Sequence, residues 1–182
     1  MLVFGLMAAF LPAIFSALAS GNSGSPSSAP VIQLTPGTQE ADMEARLKKN
    51  PNDVNAMIVL AGLLANDGQP AAAVPWYDKA VGLRPNDVNL RMTFGQLLTQ
   101  QGDELDAEIQ LKKAQQLAPT NPEPVYLLGQ LYQGTTPPRT ADAEADYQQV
   151  IKMAPTSVYA QRAKDALAQL TGTPVASPTP GA

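Results

Sequence analysis

The pentapeptide Pro51-Asn52-Asp53-Val54-Asn55 returns unchanged as Pro85-Asn86-Asp87-Val88-Asn89, 34 residues downstream. Proline cannot continue a helix, and an aspartate two residues on accepts hydrogen bonds from free backbone N–H groups. The pentapeptide therefore reads as punctuation: it stops one helix and caps the next. Pro119 falls on the same step of 34 and Pro155 follows after 36, with Asp53, Asp87, Asn121 and Ser157 as the four expected caps. Other positions keep the register: Leu60, Phe94 and Leu128; Ala61, Gly95 and Gly129; Leu64, Leu98 and Tyr132; Tyr77, Leu111 and Tyr147. A period of this length predicts a solenoid of stacked helical hairpins.

Within one period, Met57, Leu60, Ala61 and Leu64 form one helical stripe, and Ala73, Tyr77 and Ala80 form the stripe of a second helix. Small residues at Ala61 and Ala73 let the two backbones approach, while Leu60, Leu64 and Tyr77 fill the seam. Asn66-Asp67-Gly68-Gln69-Pro70 supplies the turn between them. Two departures carry expectations of their own. The third repeat has two extra residues around Gly134-Thr135-Thr136-Pro137-Pro138, so its inter-helix turn should bulge. Pro75 lies five residues inside the helix opened by Pro70, so that helix should start late or kink.

The spacing Met57-x2-Leu60-Ala61-x2-Leu64 with Ala73, Tyr77, Ala80 and Pro85 resembles the tetratricopeptide repeat (TPR). Arg91, Phe94, Gly95, Leu98, Ala107, Leu111, Ala114 and Pro119 form a second copy, and Val125, Leu128, Gly129, Tyr132, Ala143, Tyr147, Val150 and Pro155 a third. The resemblance covers about Val54–Pro155. It implies an all-α solenoid of three repeats, with Val158–Leu170 as a capping helix and Ala41–Lys49 as an N-terminal half repeat in which Met43 takes the place of Tyr77.

All charged residues lie between Glu40 and Asp165. Leu2–Ser20 is uncharged and apolar, and as a helix would be roughly 28 Å long, close to a bilayer's hydrocarbon core. The expected organisation is therefore a membrane anchor or signal segment over 1–20 behind which follow a flexible linker over 21–38, a TPR domain over 39–170 and a disordered Pro/Thr tail over 171–182. Ala17-Leu18-Ala19 before Ser20 would suit cleavage, and the absence of a preceding basic residue and the length of the run suit an uncleaved anchor. Either reading places the domain outside the cytoplasm.

The chain has 182 residues and a net charge of −4, with no cysteine and no histidine. Disulfides, thiolate and imidazole catalysis and the usual zinc sites are excluded, and the charge gives no footprint for nucleic acid. The acids Asp103, Glu104, Asp106 and Glu108 read as helix-start charge rather than a metal or carboxylate site. Gly21-Asn22-Ser23-Gly24-Ser25 has no lysine, strand or helix placed to cradle phosphate. No enzyme activity and no cofactor is expected.

A binding surface remains. The first helix of each hairpin should line the concave side, presenting Asn55, Ile58, Gly62 and Asn66, then Asn89, Met92, Gln96 and Thr99, then Glu123, Tyr126, Gln130 and Gln133. This amide-rich stripe, with Ile58, Met92 and Tyr126 as apolar anchors, suits a protein or peptide client held by its backbone. The three anchors lie off the packing stripe, so substituting them should spare the fold. The stripe lacks the basic residues with which some TPR domains grip chaperone carboxylates. Met43-Glu44-Ala45-Arg46-Leu47-Lys48-Lys49-Asn50-Pro51-Asn52-Asp53 behind a membrane segment resembles the TPR subunits of bacterial c-type cytochrome maturation, which implies a role in holding an apocytochrome. The alternative is a structural TPR subunit of an envelope or secretion complex.

If Leu2–Ser20 anchors the chain, the native protein stays with membranes through high-salt and alkaline washes; a mature N-terminus at Ser20 by mass spectrometry overturns the anchor.

Overall fold

The computed structural model describes residues 36–172, and the apolar run Leu2–Ser20, most of the expected linker and the tail from 173 onward lie outside the described residues. Eight helices follow one another: α1 (Pro36–Lys49), α2 (Val54–Asn66), α3 (Pro70–Leu83), α4 (Val88–Gln101), α5 (Glu104–Leu117), α6 (Pro122–Gly134), α7 (Thr140–Met153) and α8 (Val158–Thr171). Each of the four expected caps performs its role. Asp53 accepts from the Ala56 N–H at 3.0 Å, Asp87 from Leu90 at 3.0 Å, Asn121 from Glu123 at 3.0 Å and Ser157 from Ala160 at 3.1 Å. Each such bond satisfies an otherwise orphaned donor and contributes about 1 kcal/mol.

The hairpins are α2–α3, α4–α5 and α6–α7, with α1 packed on α2 and α8 packed on α7. Their seams are the expected stripes: Met57, Leu60 and Ala61 face Ala73, Tyr77 and Ala80, and all six are buried. The seam closes tightest where the first helix has no side chain. A Cβ at Gly95 would lie 2.8 Å from Leu111, and one at Gly129 would lie 2.7 Å from Tyr147. In α1, Met43 and Leu47 are buried in the same core, as the half-repeat reading requires.

The described helical region begins at Pro36, where proline's fixed φ suits the first turn of a helix, and runs to Thr171 before Gly172 turns at φ +69. Helix α3 does not start late: it opens at Pro70 and carries Pro75 inside, with the Ala72 N–H bonded to the Gln69 carbonyl at 3.0 Å in its first turn. Burial of Ala73, Tyr77 and Ala80 against α2 outweighs the hydrogen bond that Pro75 forgoes. The long turn after α6 spans 135–139 and is tied down at several points. Thr135 is buried and its Oγ1 lies 2.9 Å from the Tyr132 carbonyl and 3.1 Å from the Arg139 N–H, while the Thr136 N–H reaches Glu104 on α5 at 3.3 Å.

The Gly95 seam yields a prediction. Gly95→Leu should cost on the order of 1–3 kcal/mol by overpacking against Leu111, and an unchanged melting temperature would show that α4 and α5 do not meet there.

Candidate inner-face binding site

Helix α4 packs on α6 and α6 on α8, each pair closer than α3 stands to α5 or α5 to α7. Helices α4, α6 and α8 therefore crowd together on the inner side of the curve, and α3, α5 and α7 spread on the outer side. The expected site residues divide into three groups on this framework.

Gln96, Thr99 and Gln130 come together in a depression of about 210 Å³ with Gln100, Leu111 and Leu127. Tyr126, Gln130 and Gln133 line an adjoining one of about 220 Å³ with Tyr147 and, from α8, Arg162, Asp165 and Gln169. Gln130 belongs to both, so the two form one strip across α4, α6 and α8. Two of the polar side chains are already engaged: Gln133 Oε1 accepts from the Tyr147 hydroxyl at 2.8 Å, and Thr99 Oγ1 donates to the Gly95 carbonyl at 2.8 Å. Gln96 and Gln130 are exposed.

Asn55, Asn66 and Asn89 are exposed at the ends of α2 and the start of α4. Ile58 is half-buried against the core. Met92 is the error: at 5% exposure it is a core residue, not a free anchor. Helix α4 has α3, α5 and α6 packed around it, so the inner crowding closes over its middle position. A charge at Met92 would be buried with no partner, so the expectation that substitution there spares the fold does not hold.

Tyr126 is half-buried in an aromatic cluster, with ring centroids 5.7 Å from Tyr147 and 5.7 Å from Tyr159. Burial, and a hydrogen bond to Glu123, push the Tyr159 hydroxyl up to about 12, and burial raises Tyr147 as well. Both stay neutral donors at any physiological pH. Helix α8 lies beyond the third repeat, and the resemblance to the tetratricopeptide repeat implies only a capping role for it. It nonetheless brings Arg162 and Asp165 to a strip that was expected to be nearly uncharged.

The acids at the start of α5 do not converge on one point. Glu104 accepts from Thr136, whereas Glu108 accepts from the Tyr132 hydroxyl at 2.9 Å and pairs with Lys112 and, at 2.8 Å, with Arg139. Burial pushes the Glu108 carboxyl up, but the bonds from Lys112, Tyr132 and Arg139 outweigh it and hold it below its ordinary value. Asp146, on α7 beside this network, has one carboxylate oxygen buried without a partner. Burial first, then Asp142, pushes its pKa up to about 6, while Lys112 and Arg139 oppose the rise.

A model of the tetratricopeptide repeat matches residues 54–87. The crystal structure of MamA superposes with a TM-score of 0.63 at 20% identity, covering 75% of this chain and 81% of that one. MamA residues 41-end from Desulfovibrio magneticus RS-1 give a TM-score of 0.63 at 22% identity over 76% and 77% of the two chains. YrrB, described as a TPR protein with an unusual peptide-binding site, gives 0.62 at 23% identity over 71% and 66%. The first TPR of Spaghetti (RPAP3), bound to an HSP90 peptide, gives 0.56 at 15% identity over 65% and 90%. At these identities the likeness is one of fold: an all-helical TPR solenoid. No curated protein sequence matches the chain.

The raised Asp146 gives a pH prediction. A folded pKa above the unfolded one means that its contribution to stability is fully present below about pH 4 and is lost as pH rises through about 6. Asp146→Asn should therefore raise the stability at pH 7.5 by on the order of 1 kcal/mol after allowing for partial exposure, seen as a higher melting temperature, and leave it unchanged below about pH 4. Equal melting of the two proteins across that range would remove the buried carboxylate from the argument.

Proposed function

We propose that the chain is a non-catalytic scaffold that holds a segment of a client protein along the inner strip of α4, α6 and α8. The observation that carries this reading is the pair of adjoining depressions sharing Gln130, lined by Gln96, Gln100, Gln130, Gln133 and Gln169 around the apolar patches of Leu127, Tyr126 and Tyr147. Primary amides offer both donors and acceptors, so they pair with the backbone of an extended peptide whatever its side chains. Two solved TPR structures with this fold are described with a peptide-binding site or a bound peptide, which supports the same use of the fold here.

The location we propose is extracytoplasmic, and it rests on the apolar run Leu2–Ser20. Among the described residues no helix is long and apolar enough to cross a membrane, so tethering would have to come from that run. Handling of an apocytochrome is the more specific reading, and the envelope or secretion subunit its alternative. The stretch 43–53 that suggests the former has work within the fold: Arg46 donates to Asp53 at 2.7 Å and the Asn50 N–H to the Arg46 carbonyl at 2.8 Å, closing the α1–α2 turn. The Ala56 N–H, together with Arg46, holds the Asp53 carboxyl below its usual range.

A photo-crosslinking residue placed at Gln96 or Gln130 in living cells should trap a client that the same residue at exposed Gln148, on the outer side of α7, does not trap. Equal capture from Gln148 would overturn the inner strip as the client site.

A further inference from the structure

The outer side carries two grooves that occupy equivalent places one repeat apart: in one the acids are paired with cations, and in the other they are not. The groove between α5 and α7 is closed by the molecule's own arginine. Arg139, the N-cap of α7, lies 4.0 Å over the Tyr132 ring, donates to Glu108 at 2.8 Å and donates to Asp142 at 2.7 Å. Lys112 completes the closure on Glu108.

One repeat earlier, each partner has a counterpart between α3 and α5. Glu108 and Lys112 correspond to Val74 and Asp78, Tyr132 to Leu98, Asp142 to Asp106, and Arg139 to Asp103, at steps of 34 or 36 residues. The cation is therefore replaced by an acid, and no lysine or arginine lines the groove. What remains is a cavity of about 280 Å³ with apolar Val74, Pro75, Phe94 and Leu98 beside the exposed carboxylates of Asp78 and Asp106. Neither aspartate takes part in an ion pair among the described residues. Arg91 reaches Gln110 on this groove but is buried, and its other bond goes to the Pro85 carbonyl at 2.7 Å, so it does not neutralise the pair. Asp106 also borders a second depression with Leu105, which is 79% exposed, and Ile109 one turn further on is 59% exposed.

We propose that the α3–α5 groove is a second docking site, separate from the inner strip, for a partner protein segment that presents an arginine or lysine beside an aliphatic side chain. The cation takes the place that Arg139 fills in the next groove, its stem against Val74 and Pro75 above the buried Phe94 and Leu98 and its head between Asp78 and Asp106, while the aliphatic neighbour covers Leu105 and Ile109. An apolar floor alone would accept any hydrophobic segment. The uncompensated acids select a basic one, and they disfavour an anionic membrane surface.

The test uses the full chain and a fluorescein-labelled peptide of alternating leucine and arginine, with a leucine–glutamate peptide as control, read by fluorescence anisotropy. The arginine peptide should bind, with affinity falling as salt rises, and the glutamate peptide should not. Asp78→Asn with Asp106→Asn, both exposed, should weaken binding by about tenfold or more. Asp42→Asn with Asp67→Asn removes the same charge elsewhere and should leave binding unchanged. Val74→Glu with Asp103→Arg rebuilds the closed arrangement of the next groove and should abolish binding while raising the melting temperature. Equal binding of the two peptides, no loss in the Asp78 and Asp106 variant, or an equal loss in the Asp42 and Asp67 variant each overturns the proposal.

Discussion

One close approach governs the rest: Leu111 and Tyr147 press against Gly95 and Gly129, where any Cβ would be nearer than real Cβ contacts allow. A large side chain entering a position with no side chain draws the two helices of a hairpin together and sets their rotation about each other. Once that rotation is set, Leu98 and Tyr132 must point into the seam, and the residues a quarter-turn away must face the next hairpin or water. The first repeat reaches the same geometry with Ala61 opposite Tyr77, whose ring stacks at 5.8 Å on Phe94 of the following hairpin. Hairpin geometry and stacking are thus a single packing problem, solved three times with different residues.

This explains which parts of the molecule could be read in advance. Caps and seams are decided by one or two residues at a fixed spacing, so Asp53, Gly95 and Tyr147 announced their roles. Met92 did not, because its burial comes with the packing of α3, α5 and α6 around α4, which no spacing within one helix encodes. The contribution of α8 to the inner strip was missed for a related reason: Arg162 and Asp165 belong to no repeat and so have no register to betray them. Pro75 shows a local rule overruled by packing. The pairing of Glu108 with Arg139 spans 31 residues and crosses a repeat boundary, and only the folded chain brings the two together.

The inner and outer faces carry different chemistry for one reason. On the inner side α4, α6 and α8 crowd, and amides such as Gln96 and Gln130 stay exposed between them, with Arg162 and Asp165 of α8 as the charges on the strip. On the outer side the second helices diverge and leave grooves, which must be closed by long side chains or left open. Arg139 closes one of them from the end of the long turn, so the two extra residues after Gly134 place a cation where the preceding repeat has none.

That clasp also has a mechanical meaning. A solenoid flexes at its inter-hairpin joints, and the joint between the second and third hairpins is riveted on its outer side by Arg139, Glu108 and Thr136. Among the described residues the joint between the first and second has no ion pair across it and is held instead by the Tyr77–Phe94 stack and the bond from Gln101 to the Pro70 carbonyl. Salt in the medium therefore reaches the clasp of the later joint and leaves the apolar contacts of the earlier one untouched.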